Sequence, residues 1–525
     1  MKVFWADKLA EQIVKREKGL NRVKIFNIES GIGASGIPHI GSVADTARAW
    51  AVSLALRDAG HKCQLIVFSD DRDGLRKVPI GFPNWLEKKI GQPVTDISDP
   101  FECHSSYGEH MSAMLLEALE MLDIKYKFQS AYKAYTSGIL NSQIDIALKN
   151  SEKIKDVVKK MLGQDLKTVY FPLCENCGKL YTTRVTKLLP GYKIEYVCDG
   201  SFIGKNMNTG KNIEIKGCGY KGETSYFDAK GKLAWKVEFA ARWAALKICF
   251  EAYGKDIADS VKVNDWVSEY IYNWKPPLHT VYEMFLSKAG TKISKSAGNV
   301  LTPQEWLKYG SPQSLRLLFY RRFSGTREIG AEDIPFYMDD VDRLARIWSG
   351  REKIKNEREL AHSKRLFQFI NNLKEKRTIQ IGYNLLVSLA SILPIKEKAK
   401  IIKKILTSTG HIPKKLGVSE RKELEYRIAL ASNWASKRIE KKIFVPNKEE
   451  KNILSQLAKR LERKLNADQI QAVFFELARE YNIPPNKIFQ LFYKALLGLD
   501  SGPRAGPLIE ALGRNKVIAI LKSNI

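Results

Sequence analysis

The sequence predicts an α/β protein. A Rossmann-like parallel-sheet domain is interrupted by a small zinc-ribbon-like β insert and followed by an all-α, basic region. Three observations carry this. Ile28 to Ser42 is a glycine-rich stretch that follows a short, partly apolar run and precedes small and apolar residues at helical spacing. Strand, glycine loop, helix is the order in which a backbone can approach an anion and a helix N-terminus can face it. Between Thr168 and Tyr226, β-branched and aromatic residues alternate around four cysteines. Beyond about Asp340 the pattern is amphipathic helix, strongly basic to the end. The expected divisions are 1–167 for the first half of the sheet domain, with a helical insertion, and 168–226 for the β insert. The second half of the sheet domain is expected at 227–340 and the helical domain at 341–525.

Composition narrows the function. A chain of 525 residues with 44% hydrophobic content has more than one packed core. No apolar run approaches the roughly 18 residues that a membrane helix needs, and Met1 to Asp7 lacks the apolar region of a signal peptide, so the expectation is a cytoplasmic protein. A formal charge of +28 points to a polyanionic partner, nucleic acid before a membrane surface, because the basic residues are spread over long helical segments. Seven cysteines in this length are not a disulfide scaffold.

Taken in order, Arg22 to Asn27 reads as the first strand, Val43 to Ala59 as a helix closed by Gly60, and Cys63 to Ser69 as the second strand. That strand empties into Asp70-Asp71-Arg72-Asp73-Gly74, at the carboxyl end where parallel sheets bind ligands. From Asp73 to Pro100 no element is assigned, and a loop over the site is one reading. Tyr107 to Leu122 is an amphipathic helix, and Ile139 to Leu162 is helical with a charged outer face. Helical patterning returns from Trp235 to Tyr253, ended by Gly254, and Leu278 to Leu286 is a further short strand.

Two short stretches carry chemistry. Lys292-Ile293-Ser294-Lys295-Ser296 sets two ammonium groups three residues apart between Gly290 and Gly298, a loop able to clamp a triphosphate and follow charge onto pyrophosphate. His39, at the start of the first helix and about 250 residues earlier, can donate to a phosphate oxygen. Either alone is commonplace. The pair in this order is far more specific.

Pro38-His39-Ile40-Gly41-Ser42 resembles the HIGH motif, and Lys292 to Ser296 the KMSKS loop, of class I aminoacyl-tRNA synthetases. Phe68 to Pro79, Trp235 to Trp243 and Gly254-Lys255-Asp256 resemble segments of the class I lysyl-tRNA synthetases. The resemblance implies activation of lysine by ATP, then transfer to the terminal adenosine 2′-hydroxyl of tRNA-Lys, by positioning and charge stabilisation rather than a side-chain nucleophile. It implies phosphate and nucleotide contacts from Pro38, His39, Gly41, Ser42, Lys292, Ser294 and Lys295, with Gly41 admitting the adenine and Asp256 holding the ribose hydroxyls. Mg²⁺ would accompany ATP. Gly31 and Gly33 would lie along the lysine, Trp235 and Tyr282 would wall its side chain, and Asp45 is a candidate for an ammonium. Ser42 stands where the full motif has His, and Ile257 stands where similar enzymes can carry a His near the substrate.

Cys174-x2-Cys177 is half of a tetrahedral site, and Cys198 and Cys218 follow after twenty and nineteen intervening residues. A closed set of four thiolates predicts a structural Zn²⁺ with no catalytic role. The resemblance places this insert near the tRNA acceptor end, and a helical cage for the anticodon at the C-terminus. A monomer is expected. A glutamate or arginine enzyme of the same class, a nucleotidyltransferase and a non-catalytic RNA-binding protein remain the alternatives.

Overall fold

The computed structural model describes residues 3–283, 285–288, 301–374, 381–393, 398–437, 444–502 and 504–525. The chain forms two compact units. One comprises Met1–Glu305, Arg316–Ala331 and Asn356–Leu373; the other comprises Trp306–Leu315, Glu332–Lys355 and Lys374–Ile525.

The first unit is built on five strands: β1 (Phe26–Ile32), β2 (Cys63–Ser69), β3 (Lys127–Ser130), β4 (Ile248–Gly254) and β5 (Leu278–Tyr282). They form one parallel sheet in the order β5-β4-β1-β2-β3. Such a sheet is buried on both faces and so reads as continuous apolar sequence, as Leu65 to Phe68 does. Helix α1 (Trp5–Leu20) precedes β1, α2 (Ile40–Asp58) joins β1 to β2, and α3 (Tyr107–Met121) precedes β3. Helices α4 (Trp235–Leu246) and α5 (Ala258–Tyr270) flank β4. Strand order reverses between β1 and β4, so the loops leaving them diverge and open a crevice at their carboxyl ends.

Several expected elements move. β1 starts at Phe26 and runs to Ile32, which puts Gly31 inside the strand; Arg22 instead turns outward to bond Glu17 and the Lys275 carbonyl. The helix expected over Trp235 to Tyr253 is two elements. It ends at Leu246, Lys247 takes a left-handed φ of 54°, and Ile248–Gly254 is an interior strand of the sheet. An apolar run buried on all sides has no period by which helix and strand differ. Ile139 to Leu162 likewise divides at Asn150 into helices Asn141–Lys149 and Ser151–Leu162. The strand expected over Leu278 to Leu286 stops at Tyr282, and Phe285–Leu286 pairs separately with Arg327–Glu328.

The β insert contains an antiparallel sheet of Arg184–Leu189, Lys193–Val197 and Lys221–Ser225. A second sheet pairs Ser201–Asn206 with Asn212–Lys216 and, in parallel, with Lys77–Val78. The stretch after Asp73 is therefore part of the insert rather than a free loop. Leu75, Val78, Phe82, Leu86, Ile90 and Val94 bury together with Tyr107, Met111 and Ile215.

The second unit is helical throughout its described residues, with helices such as Ile334–Trp348, Tyr383–Ile392 and Val418–Lys437. Buried Arg427 grips Asp342 through two nitrogens at 2.6 and 2.5 Å and also donates to the Ile381 carbonyl at 2.6 Å.

Candidate active site

A cavity of about 480 Å³ opens at the carboxyl ends of β1, β2 and β4. Gly31, Gly33, His39, Gly41, Asp45, Trp235, Asp256, Ile257 and Tyr282 all line it, from four separate parts of the sequence. Pro38 and Ser42 flank His39 without lining the cavity. Lys292, Ser294 and Lys295 lie outside the described residues. The chain that leaves their stretch is nevertheless tied to the first turn of α2, where the Ile40 N–H donates to the Leu301 carbonyl at 3.1 Å.

His39 is the N-cap of α2. Its Nδ1 accepts the Ser42 backbone N–H at 3.2 Å, so the neutral ring carries its proton on Nε2 and is a donor there. The imidazole thus does what Ser or Asp usually does at an N-cap, and its ring stands beside the positive end of the helix. Gly41 makes this possible: a Cβ there would lie 2.8 Å from His39 Cε1 and 2.9 Å from Nδ1. The missing side chain at this position makes room for the imidazole. Gly254 plays the same part for Asp256, whose Oδ1 would lie 2.7 Å from a Cβ at 254.

Beneath the cavity lies a buried charge network. From α4, Arg242 Nε reaches Glu29 of β1 at 2.9 Å, Nη1 reaches Asp70 at 2.7 Å, and Nη2 lies 3.8 Å from Glu251 of β4. Lys232 pairs with Asp73 at 2.9 Å and with Glu238, which also accepts from the Tyr135 hydroxyl at 2.8 Å. The Trp243 indole donates to Glu251 at 2.5 Å. Five carboxylates therefore surround two cations. Burial raises the Glu29 carboxyl well above the usual carboxylate range and Asp70 to about 7, because one guanidinium cannot offset the desolvation of three acids. Gly31 is part of the same packing, since a Cβ there would lie 3.3 Å from Arg242 Nη2 and 3.5 Å from Glu251 Oε1.

Asp70, Asp73 and Glu251 line the cavity, and the surplus negative charge suits a ligand bearing cations. Asp45 is less free than expected: Arg48 holds it at 3.3 Å and lies 4.7 Å over the Tyr282 ring. Trp235 is 42% exposed and meets Phe239 edge-on at 5.2 Å, so it stands as a wall of the cavity and not in the core. Sequence reading missed Glu29, Lys232, Glu238 and Glu251 altogether. The sign of the three acids was present as charge inside otherwise apolar strands and a helix, most plainly Glu238 and Arg242 four apart in α4, and that of Lys232 as a cation inside the short strand Gly231–Leu233.

In the insert, Cys174, Cys177, Cys198 and Cys218 converge. Their sulfurs all lie within 4.8 Å of one another, with Cys174–Cys218 at 3.6 Å and Cys177–Cys198 at 3.8 Å. The Cys174 carbonyl accepts from the Gly178 N–H, and the Cys198 carbonyl from Gly219, two tight turns that aim the thiols inward. Four soft donors at this spacing fit a tetrahedral zinc ion.

The family described as tRNA synthetases class I (K) matches residues 3–372, and the one described as an anticodon binding domain matches residues 364–525. A lysine–tRNA ligase of Cenarchaeum symbiosum (strain A) is 43% identical over 531 residues, covering 99% of this chain and 98% of its own. One from Methanosphaera stadtmanae is 30% identical over 552 residues, covering 99% of each. Among solved structures, a glutamate–tRNA synthetase from Elizabethkingia anophelis aligns with 95% of this chain and 99% of its own, at 13% identity and a TM-score of 0.42. This chain belongs to the class I (K) tRNA synthetases.

Proposed function

We propose that this chain is a lysine–tRNA ligase: it joins L-lysine to ATP as lysyl-adenylate, releases pyrophosphate, and passes the lysyl group to the 2′-hydroxyl of the terminal adenosine of tRNA-Lys. The observation that carries the choice of lysine is the surplus of carboxylates around Arg242 and Lys232, three of which line a cavity walled by Trp235 and Tyr282. A cationic substrate suits a site in which acids outnumber the cations that pair with them.

In the first step the lysine carboxylate attacks the α-phosphorus of ATP, and the bond to the pyrophosphate oxygen breaks. His39 Nε2 and the N-terminus of α2 stabilise the charge that gathers on the phosphates. Lys292 and Lys295, with Ser294, take up the departing pyrophosphate, and Mg²⁺ travels with the nucleotide. Asp256 holds the ribose hydroxyls, with Gly41 and the flanking Pro38 and Ser42 shaping the nucleotide side. Gly31 and Gly33 admit the lysine backbone. In the second step the 2′-hydroxyl of tRNA displaces AMP, and no protein nucleophile is consumed.

Cys174, Cys177, Cys198 and Cys218 would hold a structural Zn²⁺, which supplies folding energy to the insert. The basic helical unit takes the anticodon region of the tRNA. We place the enzyme in the cytoplasm, as a monomer.

The test is ATP–pyrophosphate exchange with lysine, arginine and glutamate in turn, each with and without tRNA. Exchange with lysine alone supports the assignment. Exchange with arginine or glutamate keeps the family and overturns the pocket, and exchange with none of the three leaves an RNA-binding protein.

A further inference from the structure

Lysine and ATP account for only part of the cavity. Arg76, Phe171 and Tyr181 also line it and have no part in the contacts described for either ligand. In the sheet order β5-β4-β1-β2-β3, His39 follows β1 and Asp256 follows β4, whereas Arg76 lies beyond the end of β2, across β1 from both. Phe171 and Tyr181 belong to the start of the β insert. The cavity thus reaches from the nucleotide side, across β1, to the insert.

This end of the cavity is built in detail. Phe171 stands directly opposite Lys232 in the antiparallel pair of Tyr170–Pro172 with Gly231–Leu233, so the two side chains leave the same face. The Phe171 and Tyr181 rings meet edge to face, 5.4 Å apart at 89°, and Phe202 meets Tyr181 at 5.9 Å and 86°. The Tyr181 hydroxyl accepts the Gly74 N–H at 3.1 Å. Position 74 has to be glycine for that ring to lie there, since a Cβ would stand 2.8 Å from Tyr181 Cε2. The Arg76 guanidinium lies 4.4 Å over the Tyr181 ring.

Packing alone does not explain the arrangement. Two half-buried rings are fixed on a cavity wall, beside an exposed arginine that pairs with no carboxylate among the described residues. The nearby Asp73 is already held by Lys232 at 2.9 Å, so the charge of Arg76 is left for a ligand. Aromatic faces take a nucleobase, and a guanidinium takes a phosphate.

We propose that Phe171 and Tyr181 receive the terminal adenine of the tRNA, and that Arg76 binds the phosphate linking that nucleotide to the one before it. This rests on the lysine–tRNA ligase assignment above and adds where the acceptor end enters: from the insert side, across β1 from ATP. Gly31 and Gly33, along which the lysine lies in that assignment, sit at the end of β1 between the two.

Separate readouts of the two ligands test it. Wild-type protein should charge tRNA with lysine and bind a nonhydrolysable sulfamoyl analogue of lysyl-adenylate; if it does neither, the ligase assignment falls and the proposal with it. Arg76→Ala, and Phe171→Leu combined with Tyr181→Leu, should bind the analogue as the wild type does, by calorimetry without tRNA. In single-turnover transfer from synthetic lysyl-adenylate, each should need about tenfold more tRNA, or beyond, to reach half the maximal rate. The wild type should prefer tRNA ending in adenosine to the same tRNA ending in cytidine, and the ring variant should lose most of that preference, which a mere packing defect would not do. Arg76→Lys should recover part of the loss, as a point charge on a phosphate. Transfer unchanged in both variants, or analogue binding weakened as much as transfer, overturns the proposal. If the ring variant does not fold, Arg76→Glu at this exposed position decides: transfer should fail at tRNA concentrations that saturate the wild type, with analogue affinity kept, and unchanged transfer overturns the proposal.

Discussion

Arg242 is the residue on which the floor of the cavity depends. It is 1% exposed and is shared among Glu29, Asp70 and Glu251, on three different strands or their ends. Removing it strands buried carboxylates, and breaking such a pair costs about 3–5 kcal/mol. Arg242→Met should therefore lower the urea midpoint sharply with little change in slope. Asp70 yields a pH prediction of definite sign. Its carboxyl is raised to about 7 in the folded chain, against about 3.9 when unfolded. Between these values the native state holds a proton that the unfolded state has lost, so this contribution is fully present below about pH 4 and is lost as pH rises through 7. Relative to Asp70→Asn, wild-type stability should fall by on the order of 2–4 kcal/mol between pH 4 and 8. Unfolding curves of both proteins across that range check it, and parallel profiles would reject the assignment.

At the scale of the element, α2 is a helix whose cap is also a candidate phosphate donor. His39 and Gly41 act as one device, because a side chain at 41 fills the space of the imidazole. His39→Ala should cost about 1 kcal/mol of stability as a lost cap and should slow adenylate formation far more than it changes lysine affinity. Gly41→Ala should slow it similarly, and the double variant should be no worse than either single one. Pre-steady-state adenylate formation measures all three; additive losses would mean that the two residues act separately. The strand–helix pair α4 and β4 supports the opposite wall. Trp235→Ala, at the exposed start of α4, should raise KM for lysine about tenfold or more through loss of cation–π and apolar contact, while leaving the melting temperature nearly unchanged.

At the scale of the whole molecule the formal charge of +28 becomes a prediction about salt. If six to ten phosphates of tRNA are neutralised, affinity should fall about 10³–10⁵-fold between 50 and 200 mM salt. Lysine-dependent pyrophosphate exchange at saturating ATP should change far less, since its charges are buried. Filter binding and exchange over the same salt series separate the two, and an equal response would place the basic surface in the activation step.

How much of this was legible depended on whether the message was local. The glycine stretch, the second strand with its acidic outlet, the cysteine insert and the helical C-terminus are all properties of neighbouring residues, and propensity and spacing determined them from the sequence alone, while His39 stood out by its resemblance to the HIGH motif. The family was legible for the same reason, since its motifs are short and contiguous. Three things needed the tertiary structure. Ile248–Gly254 is a strand only because β1 and β5 lie on either side of it; its own pattern continues α4. The stretch after Asp73 is ordered by pairing Lys77–Val78 with residues more than a hundred positions away. The charge balance of the cavity, finally, sums over Glu29, Asp70, Asp73, Lys232, Glu238, Arg242 and Glu251, and no single segment holds it. Desolvation gives these charges their force, and burial is a property of the folded assembly, so only the fold could decide which carboxylates gather around two cations beside the cavity.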